Sequence, residues 1–324
     1  MKIRSYLQLC RAHTTALETV PAYIGAVLAT GVLLSIDALL WLVFGVLYHL
    51  IGYGMNSYMD WVNGYDTDDP HKADHPLNAG RLSPDTAKLF LGILLPIGVI
   101  YTIWLLNNLA GYVVFLVTIV FGVLYNTLGK QTEYKFIFIS IAHTGVFVLP
   151  YISLGGEIFK LEFIIGVMYM LLWLTFQIGL SGDIKDITMD EENFVTQLGA
   201  SSYEKYITFS SYVRYYSFVL KTITILTALV IPLYTMNTFG ILSISLVAIP
   251  LFHSLSILVS SGYFDRQHRV KHMSLIEGYT ATIFVLMYSH VLGIIASIAI
   301  IALSFISVIV GNKYLWGTFI APKV

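Results

Sequence analysis

The stretch richest in groups that could do chemistry is residues 54–74, GMNSYMDWVNGYDTDDPHKAD, where a long apolar run ends in a cluster of aspartates. Asn56 and Asp60 are four residues apart, so they share one face of a helix. Asp66 follows just beyond Gly64, where we expect the helix to end. The chain as a whole is only 11% charged and 57% hydrophobic, so carboxylates gathered at one place need a chemical reason.

A second acidic cluster lies in SGDIKDITMDEEN, residues 181–193, again directly after an apolar run. Its aspartates are spaced three and four residues apart, which predicts one face of a helix that extends from that run. Carboxylates close to a membrane are costly unless they pair or bind a cation, and few Lys or Arg residues are near. Hard oxygen ligands in twos and threes suit Mg²⁺ that bridges to a diphosphate. The predicted ligands are Asn56, Asp60, Asp66, Asp183, Asp186 and Asp190.

The alternative for both clusters is a solvated acidic loop whose only role is to end a helix. We favour that role for the other acidic residues of the clusters, which are Asp68, Asp69, Glu191 and Glu192. Because two clusters follow apolar runs in matching positions, the metal-binding interpretation is the stronger one for the six residues named above.

The elements that must position these clusters are apolar runs near twenty residues long, each able to cross a hydrocarbon core about 30 Å thick. The predicted spans are 15–36, 39–59, 86–107, 109–127, 136–155, 161–182, 215–236 and 239–260. A last run, 274–311, would be about 57 Å long as a single helix, so we expect a break near Gly293. The predicted fold class is all-α: a bundle of nine or ten transmembrane helices around a central cavity, capped by cytoplasmic loops. We expect one domain over residues 1–324.

Lys and Arg are concentrated in alternate predicted loops, for example Arg266, Arg269 and Lys271 after the eighth span. By the positive-inside rule these loops face the cytoplasm, and the same loops carry both acidic clusters. The sequence therefore predicts a multi-pass protein of the cell membrane whose active site is on the cytoplasmic side. A net charge of −1 gives no global field for nucleic acid. The single cysteine, Cys10, excludes an internal disulfide, and the oligomeric state stays open.

Taken together, the two motifs resemble those of the UbiA superfamily of intramembrane prenyltransferases. NSYMDWVNGYD, residues 56–66, is similar to the Asn-Asp-x-x-Asp motif of that family, and DIKDITMD, residues 183–190, to its Asp-x-x-Lys/Arg-Asp-x-x-x-Asp motif. RAHTTALETVP at 11–21 and HPLNAGRLS at 75–83 resemble two further family segments. The ending of the first motif is most similar to the menaquinone branch, which prenylates dihydroxynaphthoate. Ser57 departs from the pattern, because the family usually has Asp there.

The resemblance implies Mg²⁺-dependent transfer of a prenyl chain from a polyprenyl diphosphate to a small acceptor, with an aromatic quinone precursor as the leading candidate. It implies that Asp60 and Asp186 are central to catalysis, and that Tyr125 and a following lysine hold the diphosphate. The cations that could assist lie in the predicted cytoplasmic loops: Lys72, Arg81, Lys130, Lys135 and Lys185. The alternative is that these cations have no part in catalysis and simply follow the positive-inside rule for cytoplasmic loops.

Three other activities stay open at this stage. A glycerol-phosphate-type hydroxyl could accept the prenyl chain and give an ether lipid, or the cation could attack its own double bonds, as in terpene cyclases of the family. A cation-coupled transporter is the rival of another class, but it would place acidic residues at mid-membrane on broken helices, whereas these lie at helix ends. Glu18, inside the first predicted span, either faces a cavity or pairs with a neighbour such as Arg11.

Overall fold

The computed structural model describes residues 2–65, 72–129, 132–187, 193–203, 206–263 and 265–319. It divides into two compact units, residues 1–116, 146–156 and 302–324, and residues 117–145 and 157–301. The first unit contains helices α1 (Lys2–Leu9), α2 (Ala16–Thr30), α3 (Ile36–Val62) and α4 (Pro84–Leu105). Three helices contribute to both units: α5 (Leu109–Thr127), α6 (Lys135–Ser153) and α14 (Ile294–Trp316).

The second unit contains most of the remaining elements. Its helices are α7 (Leu161–Phe176), α8 (Asp183–Asp186), α9 (Phe194–Gln197), α10 (Ser211–Tyr234), α11 (Thr238–Leu258), α12 (Arg266–Met287) and α13 (Ser289–Leu292). A π-helical segment, Gln177–Gly182, joins α7 to α8. Three short strands, β1 (Ser201–Tyr203), β2 (Tyr206–Thr208) and β3 (Gly262–Tyr263), form an antiparallel sheet in that order. The sequence analysis did not predict this sheet, because strands of two or three residues give no periodic signal.

The all-α prediction is confirmed. In the part of the chain that the structure describes, eight helical segments are long and apolar enough to cross a membrane: α3, α4, α5, α6, α7 with its continuation to Asp186, α10, α11 and α14. The first predicted span corresponds to α2, which is shorter because Gly31 adopts a left-handed conformation (φ 70°). The last apolar run is broken where predicted, since Gly293 (φ 77°) separates α13 from α14.

Helices α2 and α3 approach closely because Gly45 has no side chain: a Cβ atom there would lie 2.7 Å from the Thr19 Cα atom. Beside this contact, the buried Glu18 carboxylate lies 2.5 Å from His49 Nδ1. The other ring nitrogen of His49 lies 3.1 Å from the Arg11 carbonyl oxygen. Glu18 therefore has the neighbouring polar partner that a carboxylate inside an apolar helix needs.

A buried histidine in the first unit makes stability depend on pH. The Trp316 indole donates a hydrogen bond to His13 Nδ1 at 3.4 Å, and burial, aided by the charges of Arg11 and His49, lowers the pKa of His13 from 6.5 to about 3. In the unfolded chain the imidazole takes up a proton below pH 6.5, whereas the folded chain keeps it neutral. Stability is therefore full above pH 6.5 and falls as the pH drops towards 3.

We expect His13 alone to lower the free energy of unfolding by about 2 kcal/mol between pH 7 and pH 5. Thermal unfolding in detergent micelles at the two pH values measures this loss, and His13→Gln should remove most of it. An unchanged pH dependence in His13→Gln would show that other groups are responsible.

Candidate active site

The first acidic motif lies in the last two turns of α3. The Asn56 amide donates to Asp60 Oδ2 at 3.0 Å, which confirms that the two side chains share one face of the helix. Asp60 is only 8% exposed, so its carboxylate is largely shielded from water. The helix ends at Val62, and Gly64 (φ 83°) turns the chain away in a left-handed conformation. Asp66 lies outside the described residues.

The oxygen atoms of this motif fit a magnesium site. Within the described residues, the buried Asn56 Oδ1 atom has no hydrogen-bond partner, and neither has the Ser57 hydroxyl beside it. No three His, Cys, Asp or Glu side chains of the ranges given above form a group that could hold a metal. Mg²⁺ does not need such a group, because it typically uses one or two protein carboxylates and completes its shell with water and phosphate oxygens. An amide oxygen next to a carboxylate therefore meets its requirements.

The second motif follows an irregular segment. The predicted helix does extend from the apolar run to Asp186, and its part Gln177–Gly182 is wound as a π-helix. Gly179 permits the close packing of this segment, because a Cβ atom at that position would lie only 2.6 Å from the Phe136 ring. Short π-helical segments are often found at functional sites, and this one ends directly at Asp183.

Asp183 is nearly fully buried and holds several parts of the second unit together. Its carboxylate accepts a hydrogen bond from the Phe194 backbone N–H at 3.0 Å and lies 3.0 Å from Lys135 Nζ. Its backbone carbonyl accepts a hydrogen bond from the Asn193 amide at 3.3 Å. A buried carboxylate with a cation and a backbone donor is stabilised as the anion. The side chain is thus pre-positioned, with one cation already beside it.

Asp186 is more accessible, with 36% of its side chain exposed. Lys185 Nζ lies 3.4 Å from one carboxylate oxygen and the Arg266 guanidinium 3.3 Å from the other. The sequence analysis named Lys185 but used Arg266 only to orient the chain. For Arg266, the only sequence feature that could have suggested a role at this site was its position in the basic loop, at the start of α12. Asp190 lies outside the described residues.

The other predicted residues are placed as follows. Tyr125 is partly buried in the last turn of α5, and Lys130 lies outside the described residues. Arg81 donates hydrogen bonds to the Gln8 side chain at 3.2 Å and to the Asp74 carbonyl at 2.5 Å, so it ties a loop to α1. Lys72 is partly buried in the same loop. The structure thus brings Lys135 and Lys185 to the second motif, whereas Arg81 contacts Gln8 and Asp74 in the first unit.

Lys221 is a buried cation that the sequence analysis missed. It is fully buried in α10, donates to the Thr280 hydroxyl at 3.0 Å and lies 4.0 Å from the centre of the Phe176 ring. The Tyr169 hydroxyl donates to the Thr280 backbone carbonyl at 2.7 Å. A single lysine inside an apolar span was the signal that could have found it, because such residues are rare and often functional.

The described polar side chains are thus an Asn–Asp pair at the end of α3 and two aspartates beside three cations at the second motif, all in a protein with eight apolar helical segments. The sequence model of the UbiA prenyltransferase family matches residues 19–262. The chain therefore belongs to that family and is a membrane-embedded prenyltransferase. No curated protein sequence matches it significantly.

Solved structures agree in fold. The structure of a digeranylgeranylglyceryl phosphate synthase has a TM-score of 0.62 at 16% identity and covers 90% of this chain and 99% of that chain. A UbiA homolog from Archaeoglobus fulgidus bound to DMAPP and Mg²⁺ has a TM-score of 0.57 at 15% identity, with 94% and 99% covered. The same homolog bound to GPP and Mg²⁺ gives 0.56 at 14% identity, with 94% and 99% covered. At these identities the likeness shows the fold alone.

Proposed function

We propose that the protein transfers a prenyl chain from a polyprenyl diphosphate to a small aromatic quinone precursor and releases diphosphate, with Mg²⁺ as cofactor. The reaction takes place on the cytoplasmic side of the cell membrane, and residues 1–324 act as one prenyltransferase domain. The observation that carries the proposal is the second motif, where Lys135, Lys185 and Arg266 already lie within 3.0, 3.4 and 3.3 Å of aspartate oxygens. Family membership and the Mg²⁺-bound homologs support it.

The acidic residues have the role of ligands in this proposal. Oxygen atoms of Asn56, Asp60, Asp183 and Asp186 would hold the metal, joined by Asp66 and Asp190 from the two loops. When bound, Mg²⁺ neutralises the charge that develops on the diphosphate as it leaves. The first motif contributes an amide oxygen that has no other partner among the described residues.

The basic residues would hold the leaving group. Lys135, Lys185 and Arg266 are placed so that each can turn from an aspartate oxygen to a phosphate oxygen when the substrate arrives. Arg266 can bind two phosphate oxygens through two parallel N–H groups, whereas a lysine acts as a point charge. Tyr125 and the loop cations Lys72, Arg81 and Lys130 are further diphosphate ligands in this proposal.

The reaction itself breaks one bond and forms another. The C–O bond between the allylic carbon and the diphosphate breaks, and the electron pair leaves with the diphosphate. An electron-rich carbon of the acceptor ring then attacks the allylic carbon, and the ring loses a proton. The apolar helices exclude water, which would otherwise capture the allylic cation and give a prenyl alcohol.

The experiment that tests this function uses purified protein in detergent with Mg²⁺, a labelled prenyl diphosphate and a panel of acceptors. Mass spectrometry of the lipid extract should show that dihydroxynaphthoate or a related ring gains the prenyl mass, and that chelation of Mg²⁺ stops the reaction. A product with no acceptor would indicate a cyclase. Failure to release any diphosphate would favour a transporter and contradict the proposal.

Transfer to a glycerol-phosphate hydroxyl is the second candidate. It is favoured by the structural similarity to a digeranylgeranylglyceryl phosphate synthase, which has a TM-score of 0.62. The same acceptor panel separates the two, because glycerol 1-phosphate is included and its prenyl ether has a different mass.

A further inference from the structure

Three buried polar atoms follow one another along the helix that leads to the second motif. They are Trp173 Nε1, Gln177 Oε1 and Ser181 Oγ, and none has a hydrogen-bond partner within the described parts of the chain. The side chains are 3%, 9% and 0% exposed. They recur every four residues, so they lie on successive turns of α7 and its π-helical continuation. We call these three residues the α7 polar stripe, and it ends two residues before Asp183.

Two buried hydroxyl groups of α10 show the partner that the Ser181 hydroxyl lacks. Ser217 donates to the Val213 carbonyl at 2.6 Å and Thr224 to the Leu220 carbonyl at 2.7 Å, each one turn earlier in the same helix. A buried polar atom without a partner destabilises the folded state. A bound molecule that supplied partners to three such atoms on consecutive turns would therefore be stabilised by them.

The chemistry of these atoms indicates the kind of ligand. The indole N–H is a donor, the amide oxygen is an acceptor, and the Ser181 hydroxyl can be either. The indole also belongs to an aromatic cluster: the Trp173 ring centre lies 6.3 Å from those of Tyr169 and Phe284. A flat ring that carries hydroxyl and carbonyl oxygens matches both features.

A phosphate-bearing acceptor matches the stripe less well. The three residues of the stripe are uncharged, and a phosphate needs cations or several N–H donors. In the proposed function the basic side chains of the second motif hold the diphosphate, and Lys221 bonds to Thr280, so these cations are not left for a second phosphate. The stripe therefore favours a hydroxylated aromatic head group over glycerol phosphate.

We propose that Trp173, Gln177 and Ser181 form part of the subsite that binds the aromatic acceptor. This inference rests on the proposed function, and it adds the place in the protein where the acceptor binds. The stripe ends beside Asp183, so a ring bound there lies next to a motif that holds the diphosphate. The ring carbon gains the prenyl carbon and loses its proton, while the C–O bond to diphosphate breaks.

The sharpest test compares two serine-to-alanine variants in the same unit. Ser181 and Ser217 are both fully buried, but among the described residues the Ser217 hydroxyl has a partner and the Ser181 hydroxyl has none. Ser181→Ala should raise the KM for dihydroxynaphthoate about 5- to 10-fold, the loss of about one hydrogen bond, and leave the KM for prenyl diphosphate unchanged. Its Tm should stay the same or rise, because an unpaired buried hydroxyl is removed. Ser217→Ala should change neither KM and should lower the Tm slightly.

A second variant addresses the donor. Trp173→Phe keeps an aromatic ring but removes the indole N–H of the stripe, and we expect the same selective rise in acceptor KM. Equal KM values for Ser181→Ala, Trp173→Phe and the unmodified protein would overturn the subsite. So would a rise in the KM for prenyl diphosphate of the same size as that for the acceptor.

A binding measurement separates the subsite from the proposed function. Dihydroxynaphthoate is titrated into the protein without prenyl diphosphate, and its Kd is measured from the quenching of tryptophan fluorescence, with glycerol 1-phosphate as the comparison. We expect a weaker Kd in Ser181→Ala but not in Ser217→Ala. If that difference appears while no acceptor is prenylated, the subsite stands and the proposed function fails. If prenylation occurs and the two variants bind alike, the function stands and the subsite fails.

Discussion

Replacing Asp60 by alanine should reduce kcat at least about a thousandfold, which corresponds to on the order of 4 kcal/mol of lost transition-state stabilisation. Within the described part of the first motif, the Asp60 carboxylate is the anionic group. The Asn56 amide donates a hydrogen bond to it. Without it, the amide oxygen of Asn56 cannot hold a divalent ion alone. Turnover of a labelled prenyl diphosphate measures the effect.

Asp37→Ala is the matched control for this variant. Asp37 lies in the first turn of the same helix, at its opposite end, and is exposed, so the substitution removes the same charge away from the motif. It should keep full activity, and both variants should unfold cooperatively near the Tm of the unmodified protein. Normal turnover in a purified and folded Asp60→Ala protein would rule out the metal-ligand role of this residue.

Replacing Asp186 by asparagine should reduce kcat by about two to three orders of magnitude. In the unmodified protein, Arg266 donates a hydrogen bond to an Asp186 oxygen at 3.3 Å. Asparagine keeps an oxygen that can accept this hydrogen bond, but it removes the negative charge that a metal ion requires. Raising the Mg²⁺ concentration should restore part of the activity, because the defect lies in metal affinity. A titration of turnover against Mg²⁺ at saturating prenyl diphosphate measures both effects.

Asp186→Glu is the informative companion, since it keeps the charge and shifts its position. We expect it to retain more activity than Asp186→Asn and to need less Mg²⁺ for half-maximal turnover. If Asp186→Asn were as active as the unmodified protein at every Mg²⁺ concentration, the carboxylate would serve only to position Arg266 and Lys185.

Features that depend on residues close in sequence were predictable. The shared face of Asn56 and Asp60 follows from a four-residue spacing, and their hydrogen bond confirms it. The break at Gly293 follows from the length of an apolar run that is too long for one membrane crossing. The helical membrane fold follows from composition and from the repeated length of the apolar runs.

Features that depend on packing between distant segments could not be predicted. The π-helical segment forms where Gly179 lets the Phe136 ring approach, which is a contact across more than forty residues of sequence. The same holds for Arg266, which reaches Asp186 from the start of another helix. The partner of Lys221 could not be predicted either, because Thr280 lies far along the chain. The menaquinone-type acceptor and the roles of the site residues stay predictions.

The most direct measurement of the central claim is an experimental structure of the protein with Mg²⁺ and a non-hydrolysable prenyl thiodiphosphate. The account predicts metal ions that are bound to the same diphosphate and coordinated by oxygens of Asn56 and Asp60 and of Asp183 and Asp186. It also predicts Lys135, Lys185 or Arg266 at the phosphate oxygens. A diphosphate bound away from these four residues, or one held by a single motif with no metal contact from the other, would contradict it.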